Sequence, residues 1–444
     1  MKRTLSRSVV SLVLAAAFLL GIGVLCFRYV TEGYSWANQP YNQHQSANSA
    51  GRIYDRNGVI LAQTVDGVRM YHEDYNVRVG IMHCITDDFD DILTAVKNRF
   101  RSKHYGYNGF MGYSMPELMG AARDITLTLD ADVCGKVYEA FGDKNGACVV
   151  YNYKTGEVLC MVSTPSFDPQ DVPEVIPDGS YYNNVVSSTY TPGSIYKIVT
   201  TIGLIESGQD VDELTFSCEG QRDFGGDDIT CMDGAHGQMG IYSAFANSCN
   251  VAFAEAAVSL GTEYMQSVSE KLGITGSFSV SGVNTAPGYF DVSTANKNEL
   301  AWSGVGQYTN MVNPMQMAIL CGAIANGGTA KSPVYIEGSE GAEDVTLMSA
   351  ATADKMQDIM RYTVGNYYGD GMFSGLTVGA KTGTAEVGEG KDPNAWMVGY
   401  STDEEYPLAF AVVVEDGGLG YYNAGPIAKL AMVESAKSLG FNAN

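Results

Sequence analysis

Residues 8–27 constrain this 444-residue chain most, because they include no charged side chain and are rich in Leu, Val and Ala. A helix of about 20 apolar residues crosses the hydrocarbon layer of a bilayer, so this stretch predicts a transmembrane anchor. Lys2, Arg3 and Arg7 precede it. Only Arg28 closely follows it, so we expect a cytoplasmic amino terminus and an exported remainder. A cleaved signal peptide is the alternative, although its apolar stretch is usually shorter, about 7–15 residues.

The charge of the chain limits its partners. The formal net charge is -23 and the isoelectric point is about 4.5. Nucleic acid and anionic lipid surfaces would be repelled over most of such an exterior, so we expect no nucleic-acid partner. The length allows two domains beside the anchor, because single cores rarely grow past about 250–300 residues.

The 9 cysteines are an odd number, and Cys26 lies within the apolar stretch. We therefore expect no scaffold built on disulfides. Cys218 and Cys231 flank a loop rich in Gly and Asp. A bridge between them would stabilise the protein by about 3 kcal/mol in the chain-entropy model. Two free thiols are an equal alternative.

The histidines give no sign of a metal site. The 5 histidines are His44, His72, His83, His104 and His236. No two of them form the i, i+4 pair of a helical zinc site. The pair His83-Cys84 is interpreted as structural, with metal binding as the alternative, and His236 follows Cys231 in a loop. We expect neither a metal nor another cofactor.

The order of segments predicts three parts. Residues 1–27 form a cytoplasmic tail and anchor, residues 28–140 a polar stalk followed by a small pedestal domain, and residues 141–444 a larger domain. The pedestal begins near Gly51, where two apolar runs flank Asn57-Gly58. Asn-Gly suits the positive φ angles of a tight turn, so this segment predicts a β-hairpin.

The larger domain reads as α+β. GACVVYN and EVLCMVS predict a second hairpin, and the strand-like segments LTVGAKTGTAEV, AWMVGYS and PLAFAVVVE return near the carboxyl end. Apolar spacing predicts helices at about 193–206, 243–261, 314–326 and 426–439. Strands early and late with helices between them indicate an antiparallel sheet packed by helices, with a mostly helical subdomain inserted.

The segment TPGSIYKIVT carries the first chemical motif, Ser194-Ile195-Tyr196-Lys197. Ser194 and Lys197 share one face of a helix, so their side chains can meet. Pro192 and Gly193 favour a helix start, where free N–H groups stabilise a developing anion. Apolar neighbours would desolvate Lys197, lower its pKa and allow its neutral amine to activate the serine. A helix-starting serine beside a solvated lysine is the alternative.

Two later motifs complete an ordered set, S-x-x-K, S-x-N and K-T-G. Ser248-Cys249-Asn250 lies in AFANSCNVAFAEAA, and Lys381-Thr382-Gly383 lies in VGAKTGTAEV. This set occurs in penicillin-binding proteins and class A β-lactamases. Ser46-Ala47-Asn48 and Lys154-Thr155-Gly156 match the short motifs but precede Ser194, so we interpret both as loop sequences.

The chain resembles the class B penicillin-binding proteins from Gly51 onward. GRIYDRNGVILA is similar to the start of their exported region, and GACVVYNYKTGEVLCMVSTPSFDP to the entry of their transpeptidase domain. Gly306-Gln307, residues 314–318 and 324–328, and AWMVGY are further matching segments. The resemblance implies a penicillin-binding transpeptidase fold, with a five-stranded antiparallel sheet. Tyr308 departs from the family, which commonly has another glycine at this position.

The same resemblance implies a role for each residue of the nucleophilic group. Ser194 would be the acylated nucleophile and Lys197 its proton acceptor. Ser248 would relay a proton towards the leaving amine. The oxyanion would lie between the backbone N–H groups of Ser194 and Thr384, each worth roughly 3–4 kcal/mol in comparable sites.

A second group of residues would bind the substrate. By the resemblance, Asn250 would hydrogen-bond the substrate's peptide amide, and Lys381, Thr382 and Thr384 would hold its carboxylate. Gly383 completes this set in an edge strand that would pair with the peptide. Cys249, the variable middle residue of S-x-N, is interpreted as a packing residue.

The implied activity is DD-transpeptidation of peptidoglycan stem peptides ending in D-Ala-D-Ala, with covalent binding of β-lactams. The segment before the transpeptidase domain is too short for a glycosyltransferase, so the resemblance implies a SEDS-family polymerase as a partner in the membrane. The alternatives are a β-lactam-hydrolysing enzyme, a DD-carboxypeptidase, and a non-catalytic β-lactam sensor or divisome scaffold. Elongation, division and sporulation roles stay open.

Overall fold

The computed structural model describes residues 2–36, 50–86, 92, 94–96, 123–339, 341–388 and 390–442. Most of the predicted stalk, including His44 and Ser46-Ala47-Asn48, lies outside these residues. His104 of the predicted pedestal also lies outside them. Helix α1 spans Lys2–Trp36 and contains the predicted anchor. Residues 7–32 are exposed, and Arg7–Gly33 is long and apolar enough to cross a membrane. The helix therefore fits a single-pass anchor.

The remaining described residues form 17 strands and 12 further α-helices. The strands are β1 Ile53–Tyr54, β2 Ile60–Val65, β3 Val68–Tyr71, β4 Ile125–Thr126, β5 Gly146–Asn152, β6 Val158–Thr164, β7 Thr215–Cys218, β8 Gln221–Arg222, β9 Ile229–Thr230, β10 Gly237–Gly240, β11 Ser279–Val280, β12 Val283–Asn284, β13 Thr329–Ala330, β14 Val345–Thr346, β15 Val378–Ala385, β16 Asn394–Ser401 and β17 Leu408–Val414. The helices after α1 are α2 Tyr75–Gly80, α3 Met82–Ile85, α4 Ala131–Phe141, α5 Asn184–Ser187, α6 Lys197–Glu206, α7 Ile241–Ala246, α8 Asn250–Leu260, α9 Thr262–Lys271, α10 Lys297–Gly304, α11 Pro314–Ala325, α12 Ala350–Thr363 and α13 Gly420–Ser438.

The central sheet has five antiparallel strands in the order β15-β16-β17-β5-β6. The predicted hairpin forms β5 and β6, whose residues are all buried. Because β15 lies at the edge, one side of its backbone is not paired within the sheet. The predicted α+β fold with this five-stranded sheet is confirmed.

Helices cover both faces of the central sheet. Met397 of β16 lies beside Gly425 of α13, and Tyr400 of the same strand lies beside Gly379 next to Met360 of α12. These two side chains are an odd number of residues apart in one strand, so they point to opposite faces. The sheet is therefore the middle layer of the transpeptidase-like part.

A smaller sheet precedes the central one. Its strand order is β3-β2-β1-β4, and the predicted first hairpin forms the antiparallel pair β1 and β2. Gly58 adopts φ = +80° in the turn, the conformation that the Asn-Gly pair predicts. The predicted division of the chain near residue 140 stays a prediction.

The structure differs from the predicted helices at three places. The helix predicted from 193 begins as a 3₁₀ turn, Gly193–Tyr196, and becomes α-helical only at Lys197. The helical region predicted at 243–261 is broken at residues 247–249, where Ser248 has φ = +53°. The last helix begins at Gly420, so Pro426 lies within its second turn. The first two differences lie at the cleft that is described next.

Candidate active site

Backbone contacts between glycines hold Ser194 against the edge strand. Gly193 has φ = +53°, and a Cβ added there would lie 2.5 Å from the carbonyl oxygen of Thr384 in β15. Gly306 has φ = +85°, and a Cβ added there would lie 1.9 Å from the carbonyl oxygen of Gly193. A side chain at either position would push these backbones apart. Ser194 therefore lies where two loops and a strand meet.

Lys197 connects the first two motifs. It begins α6 and its side chain is fully buried. Its Nζ atom lies 3.1 Å from Ser194 Oγ, 3.1 Å from Ser248 Oγ, 2.6 Å from the Ser248 carbonyl oxygen and 2.7 Å from Asn250 Oδ1. The structure thus brings together the residues that the S-x-x-K and S-x-N motifs predict.

Lys381 of β15 also contacts Ser248. Its Nζ atom donates to Ser248 Oγ at 3.0 Å and to the Thr382 carbonyl oxygen at 3.0 Å. Ser248 Oγ therefore lies between two lysine amines. Phe253 and Phe245 place their rings 5.7 Å and 5.8 Å from the Nζ atoms of Lys197 and Lys381, respectively.

Both lysine amines lose hydration in this position. Burial lowers the pKa of Lys197 to about 7, and the nearby thiols of Cys249 and Cys231 partly oppose the change. Burial also lowers the pKa of Lys381 well below its usual value, and the charge of Lys197 lowers it further. A buried ammonium is costly unless an anion compensates it, so the site favours a neutral amine at Lys197 and a carboxylate near Lys381.

Ser248 lies in the break between α7 and α8, and Asn250 is the first residue of α8. Cys249 caps α8, and its sulfur accepts a hydrogen bond from the backbone N–H of Ala252 at 3.4 Å. Asn250 donates to the Thr230 carbonyl oxygen at 2.7 Å while its Oδ1 accepts from Lys197. The Asn250 amide therefore has a fixed orientation.

The motifs open into one cleft of about 500 Å³. Five of the predicted site residues line it, namely Ser194, Ser248, Asn250, Thr382 and Thr384. The other three predicted residues, Lys197, Lys381 and Gly383, are buried beside them. All eight predicted residues thus meet, whereas Lys154 of the excluded K-T-G match lies in the β5–β6 turn and bonds Asn326. The individual roles of the eight residues stay predictions.

A family model decides the relationship. The penicillin binding protein transpeptidase domain matches residues 146–433. The chain belongs to the class B penicillin-binding proteins. The peptidoglycan D,D-transpeptidase PbpA of Mycolicibacterium smegmatis is 28% identical over 322 residues, covering 62% of this chain and 63% of PbpA. PbpB of Mycobacterium tuberculosis is 30% identical over 380 residues, covering 77% of this chain and 51% of PbpB.

Solved structures share the fold of this penicillin-binding protein. PBPA from Mycobacterium tuberculosis has a TM-score of 0.74 and 22% identity, covering 88% of this chain and 100% of that one. PBP2 from Pseudomonas aeruginosa has a TM-score of 0.74 and 23% identity, covering 90% of this chain and 98% of that one. These likenesses establish the fold. The chain matches less than two thirds of the length of PbpA and about half of the length of PbpB.

Tyr368 contacts the third motif of this penicillin-binding protein, although no sequence motif indicated it. It ends a short π-helical segment, Val364–Tyr368, that continues α12. Its hydroxyl accepts from the backbone N–H of Thr382 at 3.0 Å and lies 2.9 Å from Thr382 Oγ1. Tyr368 therefore orients a hydroxyl that lines the cleft. Only the folded path of the segment after α12 brings it there.

We expect Tyr368→Phe to slow penicillin acylation about fivefold to tenfold. The change removes the partner of Thr382 Oγ1, and one hydrogen bond contributes about 1 kcal/mol net. Stopped-flow acylation measures the rate and the apparent affinity separately. The exposed Tyr182→Phe serves as the control. A Tyr368→Phe protein with the wild-type rate and affinity would show that Tyr368 does not position Thr382.

We expect Gly306→Ala to destabilise the protein more than Gly208→Ala. Both glycines have positive φ, at +85° and +82°, but a Cβ on Gly208 meets no atom within 4 Å. Gly208→Ala therefore reports the backbone cost alone, about 1–2 kcal/mol. Gly306→Ala adds the collision with Gly193, and urea unfolding measures the difference. Equal losses in the two variants would contradict the importance of this close approach.

Proposed function

We propose that this chain is a peptidoglycan DD-transpeptidase that joins stem peptides through an acyl-enzyme on Ser194. The observation that carries the proposal is the position of the Lys197 amine, 3.1 Å from Ser194 Oγ and 3.1 Å from Ser248 Oγ. One buried base thus reaches both the nucleophile and a hydroxyl that faces the cleft. PbpA of Mycolicibacterium smegmatis, a relative, bears the name peptidoglycan D,D-transpeptidase.

A neutral Lys197 fits the hydrogen bonds around it. A neutral amine has two N–H donors and one lone pair. The two shortest contacts, to the Ser248 carbonyl at 2.6 Å and to Asn250 Oδ1 at 2.7 Å, use both donors, because these oxygens only accept. The lone pair is then left for the proton of Ser194, whose hydroxyl is a poor nucleophile until a base takes that proton.

Acylation follows from this arrangement. Ser194 Oγ attacks the carbonyl carbon between the two D-Ala residues as its proton passes to Lys197. The bond to the terminal D-Ala nitrogen then breaks, and the proton passes through Ser248 to that leaving amine. Backbone N–H groups of Ser194 and Thr384 hold the oxyanion, and each such donor contributes roughly 3–4 kcal/mol in comparable sites.

The carboxylate end of the substrate fits the third motif. Lys381 is a buried amine whose charged form is disfavoured by burial and by the charge of Lys197, so an arriving carboxylate supplies the opposite charge that stabilises it. Thr382 and Thr384 offer hydroxyls on the cleft side of β15. The unpaired edge of β15 accepts the peptide backbone as an added strand.

The second half of the reaction transfers the acyl group to an amine. The acceptor amine loses a proton to Lys197 and attacks the ester carbonyl, and Ser194 Oγ leaves and recovers a proton. Attack by water instead of an amine would make a carboxypeptidase or a β-lactamase. PBPA from Mycobacterium tuberculosis has been solved as a penicillin G acyl-enzyme complex, and we propose the same long-lived adduct here.

We also propose where the enzyme works. Helix α1 anchors it in the cell membrane with a cytoplasmic amino terminus, and the catalytic part lies outside the cytoplasm. A SEDS-family polymerase in the same membrane would supply the glycan chains. PBP2 from Helicobacter pylori, which shares this fold, has been solved in a complex with MreC.

We expect Ser194→Ala to abolish labelling by fluorescent penicillin without unfolding the protein. The hydroxyl lies in the cleft and contributes little to the core. The thermal unfolding temperature of the variant should therefore stay close to that of the wild type. Peptide mass spectrometry of the penicillin-treated wild type should find the adduct on Ser194. Ser207→Ala, whose hydroxyl bonds only within a turn, is the control.

The same experiment separates the alternatives. A stable adduct that resists hydrolysis supports a transpeptidase, whereas rapid release of opened penicillin would make the enzyme a hydrolase. Continued labelling of Ser194→Ala would overturn the assignment of the nucleophile. No labelling of the wild type would favour a non-catalytic scaffold.

We expect Lys197→Met to fold and to acylate about 100-fold to 10,000-fold more slowly, the usual contribution of a general base. Methionine has a similar length, fills the buried channel and carries no base. Stopped-flow acylation measures the rate, and circular dichroism confirms the fold. Lys154→Met, in the excluded K-T-G match, should acylate like wild type. A normal rate in Lys197→Met would exclude this amine as the proton acceptor.

A further inference from the structure

Asn247 is a cleft residue that lies outside the three motifs. It directly follows α7, precedes Ser248 and lines the cleft together with Thr382. Its φ angle is -71°, so its own backbone is unstrained, whereas Ser248 beside it has φ = +53°. Asn247 therefore shares the wall of the cleft that carries Ser248, and its side chain can be changed without a backbone penalty.

Two hydrogen bonds fix the orientation of the Asn247 side-chain amide. Its Nδ2 atom donates to the Ser243 carbonyl oxygen at 2.9 Å and to the Tyr367 hydroxyl at 3.0 Å. A carbonyl oxygen only accepts, so the atom that faces Ser243 is the nitrogen. Both N–H donors are then used, and within the described residues Oδ1 has no hydrogen-bond partner. Asn247 therefore offers an acceptor to the cleft and no donor.

Tyr367 places Asn247 at the end of the cleft that carries the K-T-G motif. Tyr367 and Tyr368 are consecutive residues of the π-helical segment Val364–Tyr368. The hydroxyl of Tyr367 bonds Asn247, and the hydroxyl of Tyr368 bonds Thr382. One turn of the chain thus contacts both walls of the cleft. The Asn247 amide lies near the place where Thr382 would bind the carboxyl-terminal residue of the substrate.

The reacting group at this end of the substrate is an amine. In acylation the terminal D-Ala leaves as an amine, and in the second half of the reaction another amine arrives. Transfer to an amine is acylation in reverse, so the arriving nitrogen occupies the place of the departed one. A neutral primary amine has two N–H bonds and one lone pair. One N–H gives its proton to the base as the lone pair attacks, which leaves the other N–H for an acceptor.

We propose that Asn247 Oδ1 binds the acceptor amine and aims its lone pair at the ester of the Ser194 acyl-enzyme, and that Tyr367 positions Asn247 for this contact. The inference rests on the proposed function and adds to it the residue that recognises the second substrate, a primary amine carried by a peptide. As the new C–N bond forms, the bond to Ser194 Oγ breaks, and the amine proton passes through Lys197 to that oxygen.

The contact favours transfer over hydrolysis. Water is small and can approach the ester in many orientations, whereas an amine attached to a peptide can react in few. Holding a reactant in its productive orientation accelerates the reaction most where that orientation is otherwise rare. Loss of Asn247 Oδ1 should therefore slow attack by the amine more than attack by water.

The partition of one acyl-enzyme between two products tests the inference. The full-length protein in detergent receives a thioester donor, whose acyl group ends in D-Ala and whose leaving group is a thiol, together with D-alanine as the acceptor amine. Transfer to D-alanine and hydrolysis start from the same acyl-enzyme, so their ratio does not depend on how fast that intermediate forms. Liquid chromatography with mass spectrometry quantifies both products over a range of D-alanine concentrations.

Asn247→Ala should lower the ratio of transfer to hydrolysis about tenfold, the loss expected for one hydrogen bond to the reacting amine. Tyr367→Phe keeps Oδ1 but frees the amide to rotate, so it should lower the ratio about threefold. Asn366→Ala is the matched control and should keep the wild-type ratio. The Asn366 amide also donates to the carbonyl oxygen four residues earlier, at 2.9 Å, but the residue is exposed and does not line the cleft.

An unchanged ratio in Asn247→Ala, with transfer and hydrolysis slowed together, would overturn the inference, because Asn247 would then support only the fold or the donor. An equal loss in Asn366→Ala would overturn it as well. Circular dichroism checks the fold, and if Asn247→Ala does not fold, the ratio of Tyr367→Phe decides. Failure of the proposed function looks different: the wild type would form the acyl-enzyme and release only the hydrolysed product at every D-alanine concentration, which would end both proposals.

Discussion

The whole site depends on an uncompensated buried amine. Lys197 is fully buried, and its polar contacts are hydroxyl, carbonyl and amide oxygens rather than carboxylates. An acidic partner would stabilise the charged form and raise the pKa of the lysine. Placing oxygens of uncharged groups around it leaves the neutral amine accessible near neutral pH. The fold must therefore deliver three chain segments to one point while excluding water and acid from it.

Glycine makes that convergence sterically feasible. The Gly193 backbone lies against both β15 and the Gly306 loop at distances that leave no room for a Cβ. Ser194 can then lie just before the start of α6 and beside the edge strand at the same time. The 3₁₀ turn before α6 has the same origin, because the positive φ of Gly193 starts the turn in a direction that a regular helix would not take. The nucleophile's position is thus a property of backbone packing.

Sequence patterns predicted the sheet, the main helices and the eight motif residues, because each depends on local spacing or on the order of short motifs. They did not predict Tyr368, which reaches Thr382 only because a π-helical segment follows α12. They also did not predict that Cys218, Cys231, His236 and Cys249 lie together behind the S-x-N motif, with their sulfur and nitrogen atoms within 4.8 Å of one another. These four residues come from two small β-ribbons and a helix start, and only Cys231 and His236 are close to each other in the sequence. Cys249 is fully buried, which agrees with its interpretation as a packing residue. The sequence gives no sign that its sulfur lies 3.8 Å from Cys231 Sγ.

The break at Ser248 places the hydroxyl of this residue beside two lysine amines. The conformation of Ser248, with φ = +53°, costs about 1–2 kcal/mol of conformational free energy relative to a regular helix. Such a residue persists only where the surrounding contacts stabilise it. On one side, two lysine amines hold its oxygens. On the other, Cys249 caps α8 and its sulfur lies 3.8 Å from Cys231 Sγ. A continuous helix would remove the strain at Ser248. The break is stabilised instead by the lysine contacts of Ser248 and by the Cys249 cap of α8.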